Sequence, residues 1–137
     1  MDEPLNVVLF SGTDDRLQAA AVLTAGAAAL GKPVNIFLQY WALDAFRADR
    51  IGRDHGLAPE AGDDGRSAVE ALRAAGQASW PETLREAKDL GGVDIQACSL
   101  SMDLLKLEST DLDPLVDGVE GVTAFYLNAG EGQVVFI

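Results

Sequence analysis

Two apolar runs rich in β-forming residues, Asn6-Val7-Val8-Leu9-Phe10 and Val34-Asn35-Ile36-Phe37-Leu38-Gln39-Tyr40, flank one helix-forming stretch from about Asp15 to Leu30. This spacing constrains the fold more than any other feature. An antiparallel pair closes through a tight turn, whereas strand, helix, strand is the βαβ unit of a parallel sheet. The chain therefore reads as α/β. The first run is apolar enough to be a strand buried on both faces. The polar loop Ser11-Gly12-Thr13-Asp14-Asp15 leads into the helix, with Thr13 or Asp14 as its cap and acidic residues suited to the positive end of its dipole. Gly31 stops the helix, with Lys32 and Pro33 beyond.

That first helix is apolar almost all round, from Ala19 through Leu30. A one-sided surface helix carries a polar stripe, so one face is expected on the sheet and the opposite face on another subunit. Trp41 to Phe46 reads as a short packing helix. Asp49 to Gln77, broken by five glycines and a proline, reads as a long surface excursion with a helix around Arg66 to Ala75. Ser79-Trp80-Pro81-Glu82 has the capping-box spacing. The helix it opens should run to Leu90, end at Gly91-Gly92 and bury Trp80, Leu84 and Ala87. A strand over Val93 to Ala97 follows, then a helical turn or two within Thr110 to Asp117, and a last strand over Gln133 to Ile137. Val122 to Leu127 is a strand by β-propensity, or a strand end followed by a helix.

Composition narrows the function. A chain of 137 residues, 48% of them hydrophobic, suits a single globular domain spanning residues 1–137. The net charge of −12 repels phosphate backbones and argues against nucleic acid as a partner. The longest apolar stretch, Ala19 to Leu30, is too short to span a bilayer. The start, Met1-Asp2-Glu3-Pro4, is acidic and lacks the pattern of a secretory signal. One cysteine permits no internal disulfide, so a soluble, cytoplasmic protein is expected.

That cysteine, Cys98, falls where the Val93–Ala97 strand ends and the residues Ser99-Leu100-Ser101-Met102-Asp103-Leu104-Leu105 begin a helix. Ligands and reactive groups collect at such junctions in α/β folds. Amide N–H groups and a helix dipole there favour a thiolate, and Ser99 and Ser101 are candidate hydrogen-bond donors to it. Ser101 is also a candidate helix cap, and Asp103 is expected in the first helical turn. The competing reading is a buried small hydrophobe. His55, the only histidine, lies in the irregular segment and reads as an exposed loop residue, which leaves Cys98 without a general base and the chain without a metal-ligand set. With no CxxC pair, any disulfide chemistry involves a partner molecule. The Ser11–Asp15 loop carries two aspartates where a phosphate would sit, so no nucleotide or flavin cofactor is expected.

The chain resembles the DsrE/DsrF-like family of small sulfur-relay proteins, including its branch labelled peroxiredoxin-like. The resemblance rests on Val7-Val8-Leu9-Phe10-Ser11-Gly12, on Ile95-Gln96-Ala97-Cys98-Ser99-Leu100-Ser101-Met102-Asp103-Leu104-Leu105, and on Gly121-Val122-Thr123-Ala124-Phe125-Tyr126-Leu127 through Val134-Val135-Phe136-Ile137. It implies a flavodoxin-like three-layer α/β/α sandwich with a mainly parallel five-stranded sheet, and a helix over about Thr123 to Glu131. It implies homo-oligomers, trimers or hexamers, and a sulfane-sulfur carrier at Cys98 served by TusA-like or rhodanese-like partners. Ser11, Gly12, Ser99, Ser101 and Met102 are the expected site lining. The additional cysteine of some members is missing here, and the 49–77 excursion looks individual to this chain. Without a second thiol or a peroxiredoxin motif, peroxidase activity is a distant third reading. The two leading ones are a sulfur-relay protein or sulfurtransferase acting through a Cys98 persulfide or thiosulfonate, and a non-catalytic binding or assembly module of the same fold.

Overall fold

In the computed structural model, which describes residues 3–137, five parallel strands form one sheet: β1 (Leu5–Leu9), β2 (Val34–Leu38), β3 (Val93–Cys98), β4 (Gly118–Glu120) and β5 (Val134–Phe136). Their spatial order is β4-β3-β2-β1-β5. The helices are α1 (Asp14–Ala29), α2 (Tyr40–Ala45), α3 (Gly62–Ala74), α4 (Trp80–Leu90), α5 (Ser99–Leu105) and α6 (Val122–Ala129). The acidic start at Met1 and Asp2 lies outside the described residues.

The strand order dictates where the helices go. From β1 to β4 the chain steps across the sheet in one direction, and right-handed crossovers put every connecting helix on one face. From β4 it returns past the starting strand to β5, so α6 falls on the other face. This is the three-layer sandwich expected from the resemblance, but its two outer layers are unequal. The first face buries a cluster of twenty residues, among them Leu17, Ile36, Phe46, Leu84 and Ile95. The second buries Phe37, Cys98 and Phe125, with Val8 packed against them.

The helix α4 has the Ser79–Glu82 capping box and the buried stripe Trp80, Leu84 and Ala87 that its sequence predicts. In α1 the expectation is met differently. Thr13 is the N-cap residue but makes no side-chain cap bond, and Asp14 turns inward. The Trp80 Nε1–H donates to Asp14 Oδ1 (3.0 Å), while the His55 N–H and Arg73 Nη2 donate to Oδ2 (3.0 Å each). A carboxylate expected to serve the helix dipole thus ties together α1, α4, α3 and the loop before α3. His55 is correspondingly not an exposed loop residue. Its ring lies 5.9 Å from that of Trp80, and its Nε2 is buried without a hydrogen-bond partner among the described residues.

Val122 to Leu127 is helical, not a strand. Phe125 and Ala129, four residues apart, face the sheet and are buried, and that spacing is helical. The local β-propensity yields to this burial. No helix among the described residues is long and apolar enough to cross a membrane.

Candidate functional site

Cys98 is the last residue of β3 and the N-cap residue of α5. Side chains alternate along a strand, so Ile95 and Ala97 point into the main core while Asp94, Gln96 and Cys98 point toward α6. The thiol packs with Phe37 of β2 and Phe125 of α6, whose rings stack at 4.9 Å between centroids. Cys98 is 5% exposed. It stands at the carboxyl edge of the sheet, as expected, but under a cover of aromatic rings.

Glu120 is the register partner of Cys98 across the β3–β4 ladder, and thus stands beside it on the same face. Burial pushes the Glu120 carboxyl above its ordinary range, and the nearby Asp94 charge adds to this. An Asn128 hydrogen bond (Nδ2 to Oε2, 3.2 Å) opposes both. No sequence signal marks Glu120, because the three-residue β4 is too short to show a period.

The same Asn128 links this edge to a polar network beneath α6. Asn35 Nδ2 donates to the Asn128 carbonyl (3.2 Å) and to Asn6 Oδ1 (3.0 Å). Asn6 Nδ2 donates to the carbonyls of Ala129 and Gln133 (3.2 Å each). These bonds hold the C-terminal end of α6, and Phe125 holds its middle. The outward side chains of α6 are exposed, Tyr126 to 64% and Leu127 to 79%. Beside α6, an apolar groove of about 300 Å³ lies over β1, β2 and β5, with Phe37, Phe125, Tyr126 and Phe136 in its walls.

The remaining residues expected to line the site are divided. Ser99, in the first turn of α5, is exposed and lies near Gly121, where a Cβ would sit 3.7 Å from its Oγ. Ser101 is buried and is not the helix cap. Its Oγ accepts the Tyr40 N–H (3.1 Å), at a residue held in the left-handed region with φ 43°. Met102 belongs to the main core, in the cluster opposite Cys98. Asp103 lies beyond the first turn of α5, not in it as its position suggested. Ser11 Oγ accepts from Arg16 Nη1 (3.3 Å) and pairs with Thr13 Oγ1 (3.4 Å). Gly12 serves a close approach, since a Cβ there would collide with the Trp41 carbonyl oxygen. Ser101, Met102, Ser11 and Gly12 therefore brace the carboxyl edge, and the immediate neighbours of Cys98 are Phe37, Phe125 and Glu120.

Comparison with known proteins agrees with the fold. Residues 1–59 match the model of the DsrE/DsrF/DrsH-like family, a segment that ends before Cys98. The uncharacterized protein YrkE of Bacillus subtilis is 30% identical over 149 residues, covering 93% of this chain and 92% of YrkE. Among solved structures, the ychN protein from E. coli superposes with a TM-score of 0.60 at 14% identity, over the whole of both chains. MTH1491 of Methanobacterium thermoautotrophicum, a protein of unknown function, gives 0.52 at 16% identity, over 99% of this chain and 100% of its own. These two show a shared fold alone. With the family model and YrkE beside them, the chain belongs to the DsrE/DsrF/DrsH-like family.

Proposed function

We propose that the protein is a sulfur-relay protein that carries sulfane sulfur on Cys98. The observation that carries this reading is the position of Cys98, at a strand-to-helix junction on the one sheet face whose outer layer is a single eight-residue helix. In the transfer step, the Cys98 sulfur attacks the outer sulfur of a donor persulfide. The donor S–S bond breaks, the donor thiolate leaves with the proton released by Cys98, and a Cys98 persulfide remains. Atoms and electrons balance without an oxidant. Glu120, the register neighbour of Cys98, is the group we assign to relay the proton. Its raised carboxyl makes it a better proton acceptor than an ordinary carboxylate.

A thiol that is 5% exposed is not reached without movement. Transfer therefore includes displacement of α6, driven by docking of the donor. TusA-like and rhodanese-like carriers are the donor and acceptor class that the resemblance implies. The exposed apolar side chains around the groove, Val122, Tyr126, Val134 and Phe136, support self-association on this face. Incubation with a small-molecule persulfide, followed by intact mass, tests the reading. One added sulfur atom on the wild type and none on Cys98→Ser is the expected result. Equal addition to both, or to neither, rejects it.

The burial of Cys98 favours a second reading, a binding or assembly module in which the thiol only packs. Under that reading Cys98→Ala leaves partner binding unchanged, and the wild-type thiol stays inert in the presence of every donor.

A further inference from the structure

The helix α5 presents an outward face that the described residues leave uncovered. Leu100, Asp103 and Leu104 stand at i, i+3 and i+4, so they share one side of the helix. All three are exposed, the leucines to 61% and 55%. The opposite side is fixed: Ser101 and Met102 are buried, and Ser101 Oγ accepts the Tyr40 N–H of α2. Single exposed leucines are ordinary on a protein surface. What adjoins this pair sets it apart. Cys98 is the N-cap residue of the same helix. Ser99, in its first turn, lies beside Gly121, the N-cap residue of α6, and the exposed Val122 follows. The face therefore continues from α5 to the start of the helix that covers the thiol.

Charge narrows what can cover it. Asp103, between the leucines, has no ion-pair partner among the described residues. Residues 99–117 carry five carboxylates, Asp103, Glu108, Asp111, Asp113 and Asp117, against one basic residue, Lys106. Asp113 and Asp117 are paired with Arg85 and Lys88 of α4, which leaves three carboxylates against Lys106. With −12 on the whole chain, the field over this face is negative. A second copy is a poor occupant, because a two-fold contact on this face brings Asp103 toward its own counterpart. A basic partner with apolar side chains complements both the carboxylate and the leucines.

We propose that the outward face of α5 docks a protein segment in which a lysine or arginine lies between apolar side chains. The basic residue meets Asp103, and the apolar ones cover Leu100 and Leu104. Resting on the carrier reading, the segment belongs to the sulfur donor, and docking brings it beside the N-terminal end of α6, the helix that transfer must displace. The negative field speeds encounter and makes docking salt-dependent.

Cys98→Ser has no thiol to load, so it isolates docking from transfer. The probes are a labelled short peptide of alternating leucine and lysine and its leucine–glutamate and serine–lysine counterparts, followed by fluorescence anisotropy. The leucine–lysine peptide should bind saturably and weaken as salt rises. The serine–lysine peptide should bind about tenfold more weakly, and the leucine–glutamate peptide should not saturate. Asp103→Asn should weaken the leucine–lysine peptide about fivefold, the worth of one exposed ion pair. Leu100→Ser with Leu104→Ser should weaken it about tenfold while circular dichroism shows the fold kept. Asp64→Asn, at an exposed position on α3, should change nothing. Equal binding of the three peptides, no binding of the leucine–lysine one, or a loss no greater in the α5 variants than in Asp64→Asn overturns the proposal. In the wild type, the leucine–lysine peptide carrying a terminal cysteine persulfide should pass its outer sulfur to Cys98. Site-specific binding without transfer refutes the carrier reading and leaves the docking face standing. Transfer at one rate from persulfides of all three peptides keeps the carrier and refutes the face.

Discussion

Removal of the Phe125 ring should expose Cys98 to reagents, by an amount that follows from how α6 is held. Only Phe125 (1% exposed) and Ala129 of that helix are buried. Burying a phenylalanine is worth about 1.5–3 kcal/mol, and the alanine methyl adds roughly 0.8 kcal/mol. Three side-chain hydrogen bonds, from Asn6, Asn35 and Asn128, each add about 1 kcal/mol net. Lifting α6 off the sheet therefore costs roughly 5–7 kcal/mol, which at about 1.4 kcal/mol per decade leaves the thiol open about one part in 10⁴ or less. Phe125→Ala returns about 2 kcal/mol of that cost, so alkylation of Cys98 should accelerate about thirtyfold. The assay is pseudo-first-order modification by iodoacetamide at fixed pH, followed by intact mass and referenced to the denatured chain. Leu127→Ala, on the outer side of the same helix and 79% exposed, should leave the rate unchanged. A wild-type thiol that reacts as fast as the denatured one, or a Phe125→Ala rate equal to wild type, refutes the idea that α6 guards the sulfur.

Three further predictions concern the surroundings of the site. Because burial raises the Glu120 carboxyl above its ordinary value of 4.5, the folded chain binds more protons than the unfolded one just above that pH, and the residue costs stability as pH rises through its folded value. Glu120→Gln should thus be more stable than wild type at neutral pH in urea unfolding, with the difference vanishing as pH falls below 4.5; a difference that persists there contradicts the assignment. Gly12→Ala drives a methyl against the Trp41 carbonyl and should lower stability by about 1–3 kcal/mol, seen as a fall in Tm. Ser101→Ala strips the Tyr40 N–H of its acceptor at a backbone position already strained by positive φ, and should lower unfolding free energy by about 1–3 kcal/mol in urea titration.

Much of the first sheet face was legible in the sequence because its signals are local. The β1–α1–β2 spacing, the Ser79–Glu82 box and the Gly91-Gly92 stop each depend on residues close in the chain. The position of Cys98 at the end of β3 was legible for the same reason. Its neighbours were not. Which face the thiol points to depends on strand alternation counted from a register that only the assembled sheet defines. Glu120 reaches it through a three-residue strand with no pattern of its own. Met102 and Ser101 follow Cys98 closely, yet the turn of α5 carries them to the opposite side of the sheet. Asp14 shows another limit of local reasoning: the helix-dipole argument is sound for an acidic residue at that position, but a tryptophan N–H sixty-six residues away sets its orientation.

Cyanolysis reads out whether Cys98 carries a transferable sulfur atom. After loading with a persulfide donor and removal of excess reagent, the wild-type chain should release stoichiometric thiocyanate on treatment with cyanide, while Cys98→Ser releases none. Loaded wild type that yields no thiocyanate, or a serine variant that yields as much, would contradict a carrier role for this cysteine.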